Sequence, residues 1–86
     1  MDEKSAVLLD APPAGEAPTD YDWQHRICYL RLLDADAEGA GWQEVARAVL
    51  KLDPSSNPAH VRAVWQSHLD RARWMANSGY RAYLDD

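Results

Sequence analysis

The 86-residue chain holds three histidines and one cysteine, the side chains most often recruited for metal binding or nucleophilic attack. Their spacing suits neither use. His60 and His68 lie eight residues apart, about 12 Å along a helix at ~1.5 Å per residue, so one ion cannot be shared between them. His25 and Cys28 offer two ligands, with no Asp or Glu at matching positions. No metal site is expected, and His68 is expected in or beside the core with one ring nitrogen hydrogen-bonded. No base and orienting group can be argued around Cys28, there is no glycine-rich phosphate loop, and no carboxylate pair can be placed on a cleft. The reading is a protein that is not an enzyme and takes no cofactor.

Binding chemistry is better represented. Arg47, Arg62, Gln66 and Arg73 project away from the apolar positions around them and suit contact with an acidic protein surface. Trp74 lies on the side of its helix opposite Trp65. It is either covered by Tyr80, Tyr83 or Leu84, or left as an exposed aromatic anchor for a partner. These five residues are the candidate partner-binding set.

Charge favours a protein over a nucleic acid as that partner. The net charge is −5, and its distribution is uneven. Residues 1–22 carry six acids against Lys4, residues 23–57 four bases against five acids, and residues 58–86 four arginines against three aspartates. The acidity sits in the first segment, and the near-neutral remainder is a poor footprint for a duplex with one charge per ~1.7 Å.

The elements that must position these residues follow from the hydrophobic pattern. A chain this short makes one domain, and four Trp and four Tyr supply the bulk that a small core needs. One cysteine and no basic-then-apolar leader indicate a cytoplasmic protein, and no apolar run approaches the roughly 18 residues of a membrane span. Residues 1–20, with three prolines and scattered acids, read as a disordered acidic tail. Within it, Ala6-Val7-Leu8-Leu9 either leans on the domain, stays in solvent, or docks a partner.

Residues 21–84 read as the folded domain. Thr19 or Asp20 caps a first helix to about Ala37, with Trp23, Ile27, Leu30, Leu33 and Ala37 as its apolar stripe. Glu38-Gly39-Ala40-Gly41 breaks it. Trp42, Val45, Ala46, Val49 and Leu50 give a second helix of about ten residues. Asp53 to Pro58 is a turn, with Asn57 as cap and Pro58 at the first helical position. A long third helix buries Val61, Val64, Trp65, His68, Leu69, Ala72, Met75 and Ala76. Ser78-Gly79-Tyr80 stops it, and Tyr83 and Leu84 fold back as a closing segment. The fold class is therefore all-α: a compact three-helix, helix-turn-helix-like domain with a short C-terminal closing segment and a disordered N-terminal tail.

Three stretches carry a family likeness: His25-Arg26 with Leu30-Arg31-Leu32-Leu33-Asp34-Ala35, then Trp42 through Leu50, then His68 through Leu84 with its Gly79-Tyr80-Arg81 ending. Over about residues 21–84 the chain resembles the helix-turn-helix-variant family known as domain of unknown function 2285. The resemblance implies a regulator of bacterial mobile elements. Some members bind DNA, whereas short stand-alone members resemble antiactivators. Such antiactivators bind LuxR/TraR-type quorum sensors and FseA-type activators, and so repress conjugative transfer of an integrative and conjugative element. DNA-binding members crowd arginines along the third helix; here Ala59, Ala63, Gln66, Ser67 and Asp70 take much of its outward surface beside Arg62 and Arg73. The expectation is thus a monomeric antiactivator of transcription whose partners are transcriptional activators, with DNA binding weak or absent. The alternative is a sequence-specific DNA-binding transcriptional regulator.

Overall fold

The computed structural model of the protein describes residues 8–15 and 17–79, and every regular element among them is helical. Helix α1 spans Asp20–Gln24, α2 Arg26–Ala37 and α3 Trp42–Val45, which continues through the wider-turned stretch Ala46–Leu50. Helix α4 runs Pro58–Trp74 and continues, again with wider turns, through Met75–Gly79. The all-α, helix-turn-helix-like expectation holds, with the first helix divided in two.

The division falls at His25. The Tyr21 carbonyl accepts both the His25 backbone N–H (3.0 Å) and the ring Nδ1–H (2.9 Å), while the imidazole stacks on the Tyr21 ring at 4.0 Å. A side chain bonded to the backbone in this way competes with the regular ladder. Thr19 opens α1 with a capping box: its N–H donates to Asp22 Oδ2 at 2.9 Å, and its hydroxyl accepts from the Asp22 N–H at 3.3 Å. Helix α2 closes on Gly39 at φ 77°, with Ala40 N–H bonded to Ala35 O and Gly39 N–H to Asp36 O. That paired pattern needs a left-handed residue just past the helix, which glycine supplies without a Cβ clash.

The core is built from Tyr29 and Leu32 of α2, Val45, Ala46 and Leu50 of α3, and Val61, Val64, Leu69, Ala72 and Met75 of α4. Helix α4 matches the expected stripe closely, except that Trp65 is half-buried against Trp42 and Ala76 is exposed. The α1–α2 stripe requires correction. Trp23, Ile27 and Leu30 are 51%, 59% and 57% exposed, and the inward face is instead Asp22, His25, Tyr29 and Leu32. Apolar residues surround α2 on several sides, so periodicity alone could not choose its buried face. Polar chemistry chose it. Arg71, 7% exposed, donates from Nε to Asp22 Oδ1 (3.0 Å) and from Nη2 to Asp22 Oδ2 (2.7 Å), while Tyr29 Oη donates to Asp22 Oδ1 (2.8 Å).

The described part of the acidic segment, residues 8–15 and 17–19, makes contacts with the helices. Where described, it forms an arm against α1 and α4: Arg71 Nη1 donates to Gly15 O at 2.6 Å and Nη2 to Ala17 O at 3.0 Å, and Leu9 N–H donates to Tyr21 Oη at 3.1 Å. Leu8 packs on the core cluster. Ala6 and Val7 lie outside the described residues, as does the expected closing segment at Tyr83 and Leu84.

Candidate nucleic-acid interface

Two helices and the turn between them shape the outward surface. Asn57 caps α4 by accepting the His60 N–H at 3.4 Å, with Pro58 at the first helical position. In the preceding turn, Asp53 Oδ1 accepts Ser55 N–H (3.0 Å) and Ser55 Oγ–H (2.7 Å), and these bonds hold its carboxyl below the usual carboxylate range. Lys51, at φ 61°, ends α3, and the Ala46 carbonyl accepts from the N–H of both Lys51 and Leu52. The reversal projects Lys51 and Arg47 at the end of α3, beside Leu52 and Asp53.

Helix α4 turns its polar side outward. Ala59, Arg62, Ala63, Asp70 and Arg73 are exposed and Gln66 is half-buried, and the helical period places all of them on one face. Gln66 Nε2 donates to Asp70 Oδ1 at 3.0 Å. Arg73 Nη2 donates to Asp36 Oδ2 at 2.8 Å, a bond that raises the guanidinium pKa further, and Arg73 Nη1 lies 3.8 Å from Asp70 Oδ1. The Arg62 guanidinium sits 5.9 Å from the centre of the Trp42 ring, and Trp42 lies 6.4 Å from Trp65. Arg62 is thus propped on an aromatic wall at the N-terminal half of α4.

The five candidate residues therefore separate. Arg62, Gln66 and Arg73 form one line on α4, and Arg47 stands exposed on α3. Trp74 belongs elsewhere: it is half-buried, with the Arg71 guanidinium stacked 4.1 Å from its ring centre and the arm residues 11–15 beside it. Arg71 covers one side of its ring, and residues 11–15 share a cleft with it, which nothing in the helical pattern of α4 indicated. Lys51, not among the five, lies beside Arg47 at the end of α3.

Beneath this surface His68 is fully buried, as its place on the stripe required. Its Nδ1 faces the Val64 carbonyl at 2.8 Å and must carry the proton, so Nε2 accepts from the Tyr21 hydroxyl at 2.6 Å. Burial lowers its pKa, against the opposing effect of the Val64 bond. Among the described residues no group of three or more His, Cys, Asp or Glu side chains could hold a metal ion, and no helix is long and apolar enough to cross a membrane.

The model of a family described as T6SS transcription factor, DNA-binding domain (RovC type) matches residues 4–84. No curated protein matches the chain. The family is one of transcription factor DNA-binding domains, not of enzymes. Its match overturns the expectation that DNA binding is weak or absent, and it lends no support to transcriptional activators as the partners. A net charge averages bases over the chain, whereas contact with DNA depends on where individual side chains stand, and Arg62 and Arg73 stand on one face of α4. A match over residues 4–84 covers nearly the whole chain, arm included, and the chain belongs to this family of RovC-type transcription factor DNA-binding domains.

Proposed function

We propose that the protein is a sequence-specific DNA-binding transcriptional regulator that reads the major groove with the N-terminal half of α4. The supporting observation is the pair of exposed Arg62 and half-buried Gln66, one helical turn apart on the second helix of a helix-turn-helix pair, in a chain of a DNA-binding family. Arginine forks onto guanine O6 and N7, and glutamine onto adenine N6 and N7. Arg62 and Gln66 are therefore the base-reading residues. Arg47 and Lys51, at the end of α3, take phosphates, as does Arg73, eleven residues beyond Arg62 and about 16 Å further along the axis. Trp74, half-buried under the Arg71 guanidinium, takes no part.

The division of labour is testable by titrating the protein against its own promoter DNA. Arg62→Ala and Gln66→Ala are each expected to cost about 1–3 kcal/mol and to relax preference at one base pair. Arg47→Ala is expected to weaken cognate and unrelated duplexes alike and to lower the salt slope by about 0.9. Uniform loss from Arg62→Ala across all sequences would assign that residue to the backbone instead.

A further inference from the structure

The end of α1 and the whole of α2 leave three large apolar side chains in water. Trp23, Ile27 and Leu30 are 51%, 59% and 57% exposed, and their spacing of four and then three residues sets them on one side. This face runs into a largely apolar groove of about 320 Å³ between α2 and α4, walled by Leu30 and Leu33 on one side and by Met75 and Ala76 on the other. A contiguous apolar surface of this kind on so small a protein marks a place of contact.

The charges around Leu30 define what fits there. Exposed Arg26 stands four residues before it and exposed Asp34 four residues after it, so the face carries a base toward one end and an acid toward the other. Arg26 is held at that end by its bond to the Trp23 carbonyl (2.8 Å) and by stacking 4.1 Å from the centre of the Trp23 ring.

We propose that this face is the two-fold interface of a homodimer, in which α2 packs antiparallel on α2 of a second copy and the two cross at Leu30. The inference goes beyond DNA reading and does not rest on it. In an antiparallel pair centred on Leu30, a residue some positions before the centre is level with the residue as many positions after it on the other copy. Arg26 is then level with the second copy's Asp34, and Asp34 with the second copy's Arg26, so a complementary pair is made twice. A parallel pair would instead bring like charges together. Ile27 is level with the second copy's Leu33, and bulky Trp23 with small, exposed Ala37. Leu30 meets its own counterpart at the mouth of the groove. An unrelated helix would have to carry both charges in the opposite order, whereas a second copy supplies them by symmetry. With three half-exposed large side chains per copy the contact is small, and the dimer is expected to form in roughly the micromolar range rather than to be obligate.

Sedimentation equilibrium on the full chain, without DNA, tests the interface. The parent should pass from the mass of one chain to that of two across roughly micromolar concentrations. Leu30→Ser should keep the parent's helical circular dichroism and weaken association about tenfold or more, because each dimer loses two leucines. Arg26→Asp and Asp34→Arg should each weaken association severalfold, and Arg26→Asp/Asp34→Arg should restore it toward the parent value, since the exchanged charges again face one another. Arg62→Ala, on α4, should leave the mass unchanged. A mass of one chain at every concentration, a mass beyond two chains, an unaltered dimer in Leu30→Ser, or a double charge variant no tighter than the single ones would each overturn the proposal.

Discussion

Arg71 and Asp22 are two charges taken out of water, and such a pair holds only if every remaining lone pair and proton is used. Asp22 accepts from Arg71, Tyr29 and Thr19, and Arg71 also donates to the carbonyls of Gly15 and Ala17. Asp22→Ala leaves a buried guanidinium unpaired and is expected to cost about 3–5 kcal/mol in urea unfolding. Replacing both partners with apolar residues of similar size should cost less. Burial alone would raise the Asp22 pKa, but the bonds from Arg71, Tyr29 and Thr19 outweigh it and lower the value. Its contribution is therefore complete above the ordinary carboxylate range and is lost as pH falls toward the lowered folded value.

His68 acts in a higher pH window. Burial depresses its folded pKa, so the unfolded chain takes up the proton first as pH falls. Stability from this residue is complete above about pH 6.5, the ordinary histidine value, and is lost between that pH and the depressed folded value. Protonated His68 could no longer accept the Tyr21 hydroxyl, whose oxygen in turn anchors the Leu9 N–H of the arm. Melting temperature should therefore drop between pH 7.5 and 5.5, and His68→Gln should flatten that drop. An unchanged slope in the variant would place the titration on another group.

At the scale of elements, helix ends and the α4 stripe were readable in the sequence because each rests on local rules. Thr19, Gly39, Asn57 and Pro58 stand where capping chemistry puts them. Gly39→Ala should cost about 1 kcal/mol through its positive φ, with nothing within 4 Å of the added Cβ to add a packing penalty. A neutral result in thermal unfolding would show that the end of α2 relaxes into another turn. The inward face of α1–α2 was not readable. Its choice rests on Asp22 meeting Arg71, 49 residues away, and no local pattern announces a carboxylate that is wanted inside. The wider turns at Ala46–Leu50 and Met75–Gly79 left no mark in the apolar spacing either.

At the scale of the molecule, the described part of the acidic segment meets the helices through the carbonyls of Gly15 and Ala17, partners for a buried arginine that composition does not register. Averaged composition also hid the candidate interface. Arg62, Gln66 and Arg73 were legible as an outward line on α4, but a near-neutral total argued against a nucleic acid, whereas recognition depends on where a few side chains stand. Only Trp74 leaves the proposed set, and Lys51 joins it.

Whether α4 reads a base sequence is decided by competition binding. Purified protein bound to a fluorescently labelled fragment of its own promoter is challenged with unlabelled cognate or scrambled duplex at physiological salt. Cognate DNA is expected to compete at least about a thousandfold more effectively than scrambled DNA, and Arg62→Ala/Gln66→Ala to collapse most of that ratio while the fold is retained. Equal competition by the two duplexes, or no retention of either, would contradict it.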